Sequence, residues 1–249
     1  GARLHREVGA DVGALAVTAT LTKSSASGGM IIQEFDFAVH TKACAPVFDG
    51  HTVFGFFPPD ALARQVGIGA TEDERARLAE RAAGFSPVDL RARPARYFGA
   101  QPALPDQMLL MIDRVAGYWP NASRTGRARV HVEKVVDPAE WFFRAHFFQD
   151  PVQPGSLGLE AMAQAIEWLA IHEGWGAAMC APRFAVDGPA TWKYRGQVRP
   201  ENSLVQVTAD LLDVEPIAGG LRAVAACELW VDGLKIYQAP DFAVRLLDG

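Results

Sequence analysis

Apolar and polar positions near the start of the chain alternate with a period of two. "ALAVTATLTKSS" (14–25) and "MIIQEFDFAVHT" (30–41) carry β-branched and aromatic residues and flank a turn at "SGG" (27–29). "APVFDGHTVFGFF" (45–57) adds a third such run, with Asp49-Gly50 as a further turn signal. This pattern predicts an antiparallel meander over 13–57.

The pattern changes at 58. Two prolines open the segment, "DALARQVG" (60–67) predicts a short helix, and Thr71 with Glu74 forms a capping box for "TEDERARLAERAAG", which closes on Gly84. The charges of that helix predict a solvated face, and "SPVDLRARPARYFGAQPALP" (86–105) predicts a proline-marked extended connection. Residues 58–102 are therefore expected to be a linker with short helices lying over the surface.

From 103 to 249 a full set of elements follows. An extended segment at "MLLMIDRVAGYWP" and a strand at "GRARVHVEKVV" precede a helix from about Ser156 to Glu173. Strands are then predicted at "TWKYRGQVRP", "SLVQVTADLLDVEP", "LRAVAACELWVDG" and "LKIYQAPDFAVRLL". One long apolar helix among antiparallel strands is an α+β arrangement.

The chain also repeats itself. "VTATLTKSSASGGMIIQEFDFAV" from Val17 aligns with "VTADLLDVEPIAGGLRAVAACELWV" from Val207, each with a V-T-A strand, a glycine turn and an apolar strand. The second copy has a helix and leading strands before its meander; the first has none. Residues 1–57 are thus expected to be the back half of a unit whose front half comes from upstream of Gly1 or from a second chain.

Composition narrows the function. With 249 residues, 49% hydrophobic and 21% charged, the chain has a globular composition, and a net charge of −5 gives no basis for nucleic-acid binding. Cys44, Cys180 and Cys227 are odd in number and lack metal-ligand spacing, so structural thiols in a reducing compartment are expected, with no metal. No apolar run reaches the length of a membrane span and no signal peptide opens the chain, which predicts a cytoplasmic location.

The chemistry concentrates in "WFFRAHFFQDPVQPGSLGLEAMAQ" (141–164). His146 sits among aromatics, Asp150-Pro151 and Pro154-Gly155 force turns, and Gly155 permits backbone angles that other residues resist. Ser156 is the natural N-cap of the next helix, whose free N–H groups form a site for an oxygen acquiring negative charge. Glu160 and Gln164 share a face one turn apart on an apolar helix, so a poorly solvated carboxyl positioned by an amide is expected, with His146 as the matching base. The bland alternatives are a structural histidine, a carboxylate paired with arginine, and a turn that is only a turn. A nucleophile elbow at "GSLG" fails for want of a residue between its first glycine and the serine.

"HFFQDPVQPGSLGLEAMAQ" resembles the hot dog fold 3-hydroxyacyl-acyl carrier protein dehydratases, in particular the 3-hydroxydecanoyl type and the dehydratase domains of polyunsaturated fatty acid synthases. "MLLMIDRV", "WKYRGQV", "DG" followed by "IY", and "APDFAV" occur in that family's order, over about residues 103–249. The N-terminal meander resembles the back half of the preceding hot dog in the polyunsaturated synthase type, so a double hot dog is implied.

The resemblance implies His146 as catalytic base, Glu160 as catalytic acid, and Gly155 as the residue whose N–H holds the thioester carbonyl. It also implies a supporting role for Gln164 and substrate contacts at Ser156 and Val152. The implied reaction needs no cofactor beyond the phosphopantetheine that carries the substrate on acyl carrier protein. The implied assembly is a homodimer or a domain of a multidomain synthase, with the histidine of one hot dog facing the acid of its neighbour. Lys193, Arg195 and Arg199 are candidates to dock the acidic carrier, or else ordinary exposed strand residues. Many decanoyl-type members carry Asp, Cys and Met where this chain has Glu160, Ser156 and Gln153, which leaves double-bond isomerisation open. An acyl-thioesterase and an inactive acyl-binding hot dog are the rival readings.

Overall fold

A computed structural model describes residues 1–63, 66–188 and 190–249, which form two compact units, Gly1–Gln65 and Val66–Gly249. The first is the expected meander. Strands β1 (Ala2–Leu4), β2 (Leu15–Ser27), β3 (Met30–Thr41) and β4 (Pro46–Phe56) lie in the order β1-β4-β3-β2, followed by a short helix α1 (Pro59–Ala63). The rest of the helix expected at 60–67 includes residues 64 and 65, which lie outside the described residues. Gly28 and Gly29, both at positive φ, make the two-residue turn between β2 and β3. Asp49-Gly50 is not a turn: both lie within β4, where a Cβ on Gly50 would sit 2.7 Å from the Ala2 Cα, so the glycine admits β1 alongside.

The second unit contains α2 (Glu72–Ala79), β5 (Val88–Asp89), α3 (Ala95–Phe98), β6 (Arg114–Trp119), β7 (Arg129–Val135), α4 (Trp141–Ala145) and α5 (Gly155–Glu173). It continues with β8 (Pro182–Val186), β9 (Lys193–Tyr194), β10 (Leu204–Ile217), β11 (Gly220–Val231) and β12 (Leu234–Asp248). The sheet runs β5-β6-β7-β10-β11-β12-β8, with β9 paired to β12, and every pairing given for these strands is antiparallel. The sheet curls around α5, which packs on β7, β10, β11 and β12 and buries Met162, Ile166, Trp168 and Leu169 in one core with Val207, Ala209, Leu211 and Ala225. A long helix in a curled antiparallel sheet is the hot dog arrangement.

Helix α5 ends where Gly174 turns left-handed (φ 74°) and its N–H closes on the Ala170 and Ile171 carbonyls. The Thr71–Glu74 capping box is present at the start of α2. That helix is pinned to the sheet by Arg77 on Asp210 (2.6 Å) and by buried Lys235, which bridges Glu74 (2.8 Å) and Glu228 (3.4 Å).

Three local expectations change. Residues 86–105, expected to run over the surface, place Leu90, Tyr97 and Leu104 in the core, with Tyr97 stacked 5.6 Å from Trp168. "TWKYRGQVRP" is not a long strand; only Lys193–Tyr194 pair, because the chain then turns inward to bury Val198. Of the cysteines only Cys227 is buried, while Cys44 and Cys180 are exposed.

The repeat is also a repeat of register. Leu15 opposite Thr41 in β2–β3 becomes Val205 opposite Val231 in β10–β11, 190 positions on, and Ile31 opposite Phe56 becomes Leu221 opposite Leu246. Even the irregularity recurs: the register shifts between Leu21 and Lys23 in one hairpin and between Leu211 and Asp213 in the other.

Candidate active site

Helix α4 delivers His146. Phe142 and Phe143 anchor it in the core, and the His146 N–H closes its last turn on the Phe142 carbonyl at 2.9 Å. The loop beyond returns to the histidine: the Val152 N–H donates to the His146 carbonyl at 2.8 Å, and the His146 ring contacts the Val152 carbonyl through Nδ1 at 3.1 Å. A carbonyl only accepts, so Nδ1 carries the proton and a neutral ring leaves the Nε2 lone pair free. The pocket of buried aromatics expected around His146 is only half formed. Phe147 packs on its ring at 3.7 Å, but Phe147 and Phe148 ride outward on the turn, Phe148 being 89% exposed.

Four residues after Asp150 the chain enters α5. Its N-cap is Pro154, whose extended backbone (φ −51°, ψ 134°) suits proline, and not Ser156, which lies exposed in the first turn. Gly155 is helical and needs no unusual angles; the first N–H groups of the helix point past Pro154 without intrahelical acceptors. Tyr237 lies beneath this turn. A Cβ on Gly158 would fall 2.3 Å from its Cε2, and one on Gly155 would stand 3.5 Å from its hydroxyl. The two glycines lie three residues apart on one face, a spacing that signals a close approach but that the sequence reading did not use, and nothing in the segment points to the tyrosine that approaches.

Glu160 stands about 7.5 Å further along the helix axis, at 1.5 Å per residue from Gly155. Gln164 is fully buried, and its amide donates to Glu160 Oε1 (2.7 Å) and to the Leu109 carbonyl (2.7 Å), while its oxygen accepts from the Met111 N–H (2.8 Å). The amide is thus wedged between helix and backbone, and its remaining hydrogen bond aims Glu160. The carboxyl itself is half-buried. Glu167 continues the same face at the next turn, and burial, with the nearby Glu160 charge, pushes its pKa up to about 8. Sequence reading passed over Glu167, although the spacing 160, 164, 167 marks one helical face.

Among the described residues no hydrogen bond or ion pair joins His146 to Glu160. The segment 146–164 nonetheless brings His146, Val152, Gly155 and Glu160 to one end of α5. A cavity of about 580 Å³ lies to one side, lined by residues that include Asp113, Lys134, Glu140 and Trp141. Lys134 there is already paired with Glu140 at 2.8 Å and Asp113 at 3.5 Å, so its charge is satisfied within the fold.

Residues 104–240, more than half of the chain, match the FabA-like domain. The chain belongs to the FabA-like domain family. Over 245 residues this FabA-like chain is 29% identical to a polyunsaturated fatty acid synthase subunit of Thraustochytrium sp., covering 92% of the chain and 16% of that much longer protein. In fold it is similar to the dehydratase domain from the CurJ module of curacin polyketide synthase, with a TM-score of 0.52 at 12% identity, over 90% of this chain and 67% of that one. A second structure, the CurJ dehydratase H978F inactive mutant with a bound compound, gives a TM-score of 0.51 at 13% identity, over 92% and 74%. No helix among the described residues of the FabA-like chain is long and apolar enough to cross a membrane. Of its three candidate docking cations, Lys193 and Arg195 are exposed on either side of Tyr194, whereas Arg199 is half-buried and paired with Glu201 at 2.7 Å.

Proposed function

We propose that the chain dehydrates 3-hydroxyacyl thioesters carried on the phosphopantetheine of acyl carrier protein, leaving trans-2-enoyl thioesters. The observation that carries the reading is the double tie between His146 and Val152, which frees Nε2 as a base and anchors it to a residue three positions before the amino end of α5. The thioester carbonyl takes the Gly155 N–H, and this polarisation acidifies the hydrogen on C2. His146 Nε2 removes that proton, the C2–H electrons form the C2=C3 bond, and the C3–O bond breaks. Glu160 in its protonated form, or its counterpart on a neighbouring hot dog, gives the departing hydroxyl a proton, so the product is water. The imidazolium then returns a proton to the carboxylate. Ser156, exposed in the first turn, and Val152, buried beside His146, are the further substrate contacts of this reading, and Gln164 positions Glu160.

Incubation with 3-hydroxyacyl pantetheine thioesters tests this reading. A new conjugated-enoyl absorbance is expected; release of free thiol without it would make the chain a thioesterase, and neither change would make it an acyl binder.

Lys193 and Arg195 flank the strand position whose tyrosine reaches Gly155, which favours them as the docking site of an acidic carrier. Reversing both charges is expected to raise KM for carrier-bound substrate and to leave the small thioester unaffected. Equal effects on both would refute the docking.

We also propose that the first unit is the meander half of a second hot dog. Val17 and Leu21 are 67% and 49% exposed, while their counterparts Val207 and Leu211 are 1% and 4% exposed beneath α5. Bare apolar surface costs about 25 cal/mol per Å², so a helix of the α5 kind covers this face in the working assembly, a homodimer or a larger synthase. Light scattering that finds a lone, active monomer would count against it.

A further inference from the structure

We propose that Tyr237 supplies a second hydrogen-bond donor to the thioester oxygen at the amino end of α5, with Tyr194 holding its hydroxyl in place. The inference rests on the dehydratase reading and adds a residue to its site. Tyr237 lies on β12 directly opposite Tyr194 on β9, and the Arg195 N–H locks the two strands by donating to the Ile236 carbonyl at 2.9 Å. The rings meet edge to face at 4.9 Å. The Tyr237 ring is clamped against Gly158 so closely that no Cβ fits there, and the clamp directs its hydroxyl to within 3.5 Å of the Cβ position of Gly155. Cβ directions in a helix tilt toward its amino end, the end to which the Gly155 N–H also points. The hydroxyl therefore lies beside the first turn of the helix, next to the residue whose N–H is the backbone donor.

The chemistry suits a donor. A phenol in the core needs a hydrogen-bond partner, and Tyr194 is one: the two hydroxyls share a hydrogen bond that sets the position of the Tyr237 oxygen. When Tyr194 donates that bond, the Tyr237 proton is left for a ligand. Tyr237 is 1% exposed, so the oxygen is set in a dry position where one well-aimed hydrogen bond weighs most. Burial and the neighbouring Tyr194 raise its pKa well above the ordinary phenol value, which keeps the proton on the oxygen at neutral pH. Tyr194 belongs to the exposed strand between Lys193 and Arg195, so the pair links the surface to the helix end.

Tyr237→Phe in the full chain tests the proposal, because it removes one oxygen and keeps the ring. Turnover of a 3-hydroxyacyl pantetheine thioester is expected to show kcat lowered about 10²-fold, with KM unchanged. The infrared carbonyl band of bound butyryl pantetheine, which has no hydroxyl to lose, is expected to move to higher wavenumber in the variant. A variant with wild-type kcat and an unmoved band, whatever its melting temperature, would overturn the role of Tyr237 alone. A wild-type chain that does not dehydrate would overturn the dehydratase reading, and the band would still report whether the hydroxyl touches the carbonyl.

Discussion

Replacing Gln164 by leucine separates stability from catalysis at one position. The side chain is fully buried and makes three hydrogen bonds, to the Leu109 carbonyl, the Met111 N–H and Glu160. Leucine fills nearly the same volume, so the cavity contribution is small and the loss comes from orphaned polar groups. Met111 is 1% exposed, and its stranded N–H costs about 1–3 kcal/mol. Leu109 is 42% exposed, so water replaces much of the bond to its carbonyl and the cost there is about 0.5–1 kcal/mol. The Glu160 bond adds little stability, because that carboxyl is half-solvated, but its loss releases the acid from its aim. The expected destabilisation is therefore about 1.5–4 kcal/mol, accompanied by a fall in kcat larger than any rise in KM. Urea unfolding followed by tryptophan fluorescence measures the first quantity and steady-state turnover the second. A Gln164→Leu chain as stable as wild type would refute the wedge, and one with normal kcat would refute the positioning of Glu160.

Other consequences follow from the same geometry. Gly158→Ala puts a methyl 2.3 Å from the buried Tyr237 ring; overpacking of this kind costs about 1–3 kcal/mol, and thermal melting should show it. Glu167 titrates near 8, above its unfolded value of 4.5, so its burial is harmless at low pH and subtracts stability progressively as pH rises from about 4.5 through 8. Glu167→Gln should remove that slope from the pH dependence of unfolding; an unchanged slope would show that another group causes it.

The elements that local pattern controls were legible. Two-period runs marked the strands of both meanders, Thr71 and Glu74 marked the start of α2, and the apolar run from about Ser156 to Glu173 marked α5. The hairpin repeat was legible because both copies keep a V-T-A run, a glycine turn and an apolar strand, in the same register. What failed depends on partners distant in sequence. Asp49-Gly50 has turn composition, yet β1 needs the glycine for its own approach. Residues 86–105 are proline-rich, yet Tyr97 and Leu104 find the far end of α5 and the core. Ser156 has cap chemistry, but Pro154 already sets the backbone angles at which the helix begins. At the site, His146, Gly155, Glu160 and Gln164 lie in one short segment and could be named together. Tyr237, Leu109 and Met111 reach the same place from elsewhere in the chain, and no spacing announces them.

The most direct test of the account is the dehydration rate of His146→Ala, read from enoyl absorbance with a 3-hydroxyacyl pantetheine thioester. The ring's tie to the Val152 carbonyl is one of two bonds between these residues, and the backbone bond survives the substitution, so the loop is expected to stay in place. The account predicts a variant with an unchanged far-ultraviolet spectrum and turnover lowered by at least about 10²-fold. A folded His146→Ala chain that dehydrates at the wild-type rate would contradict it.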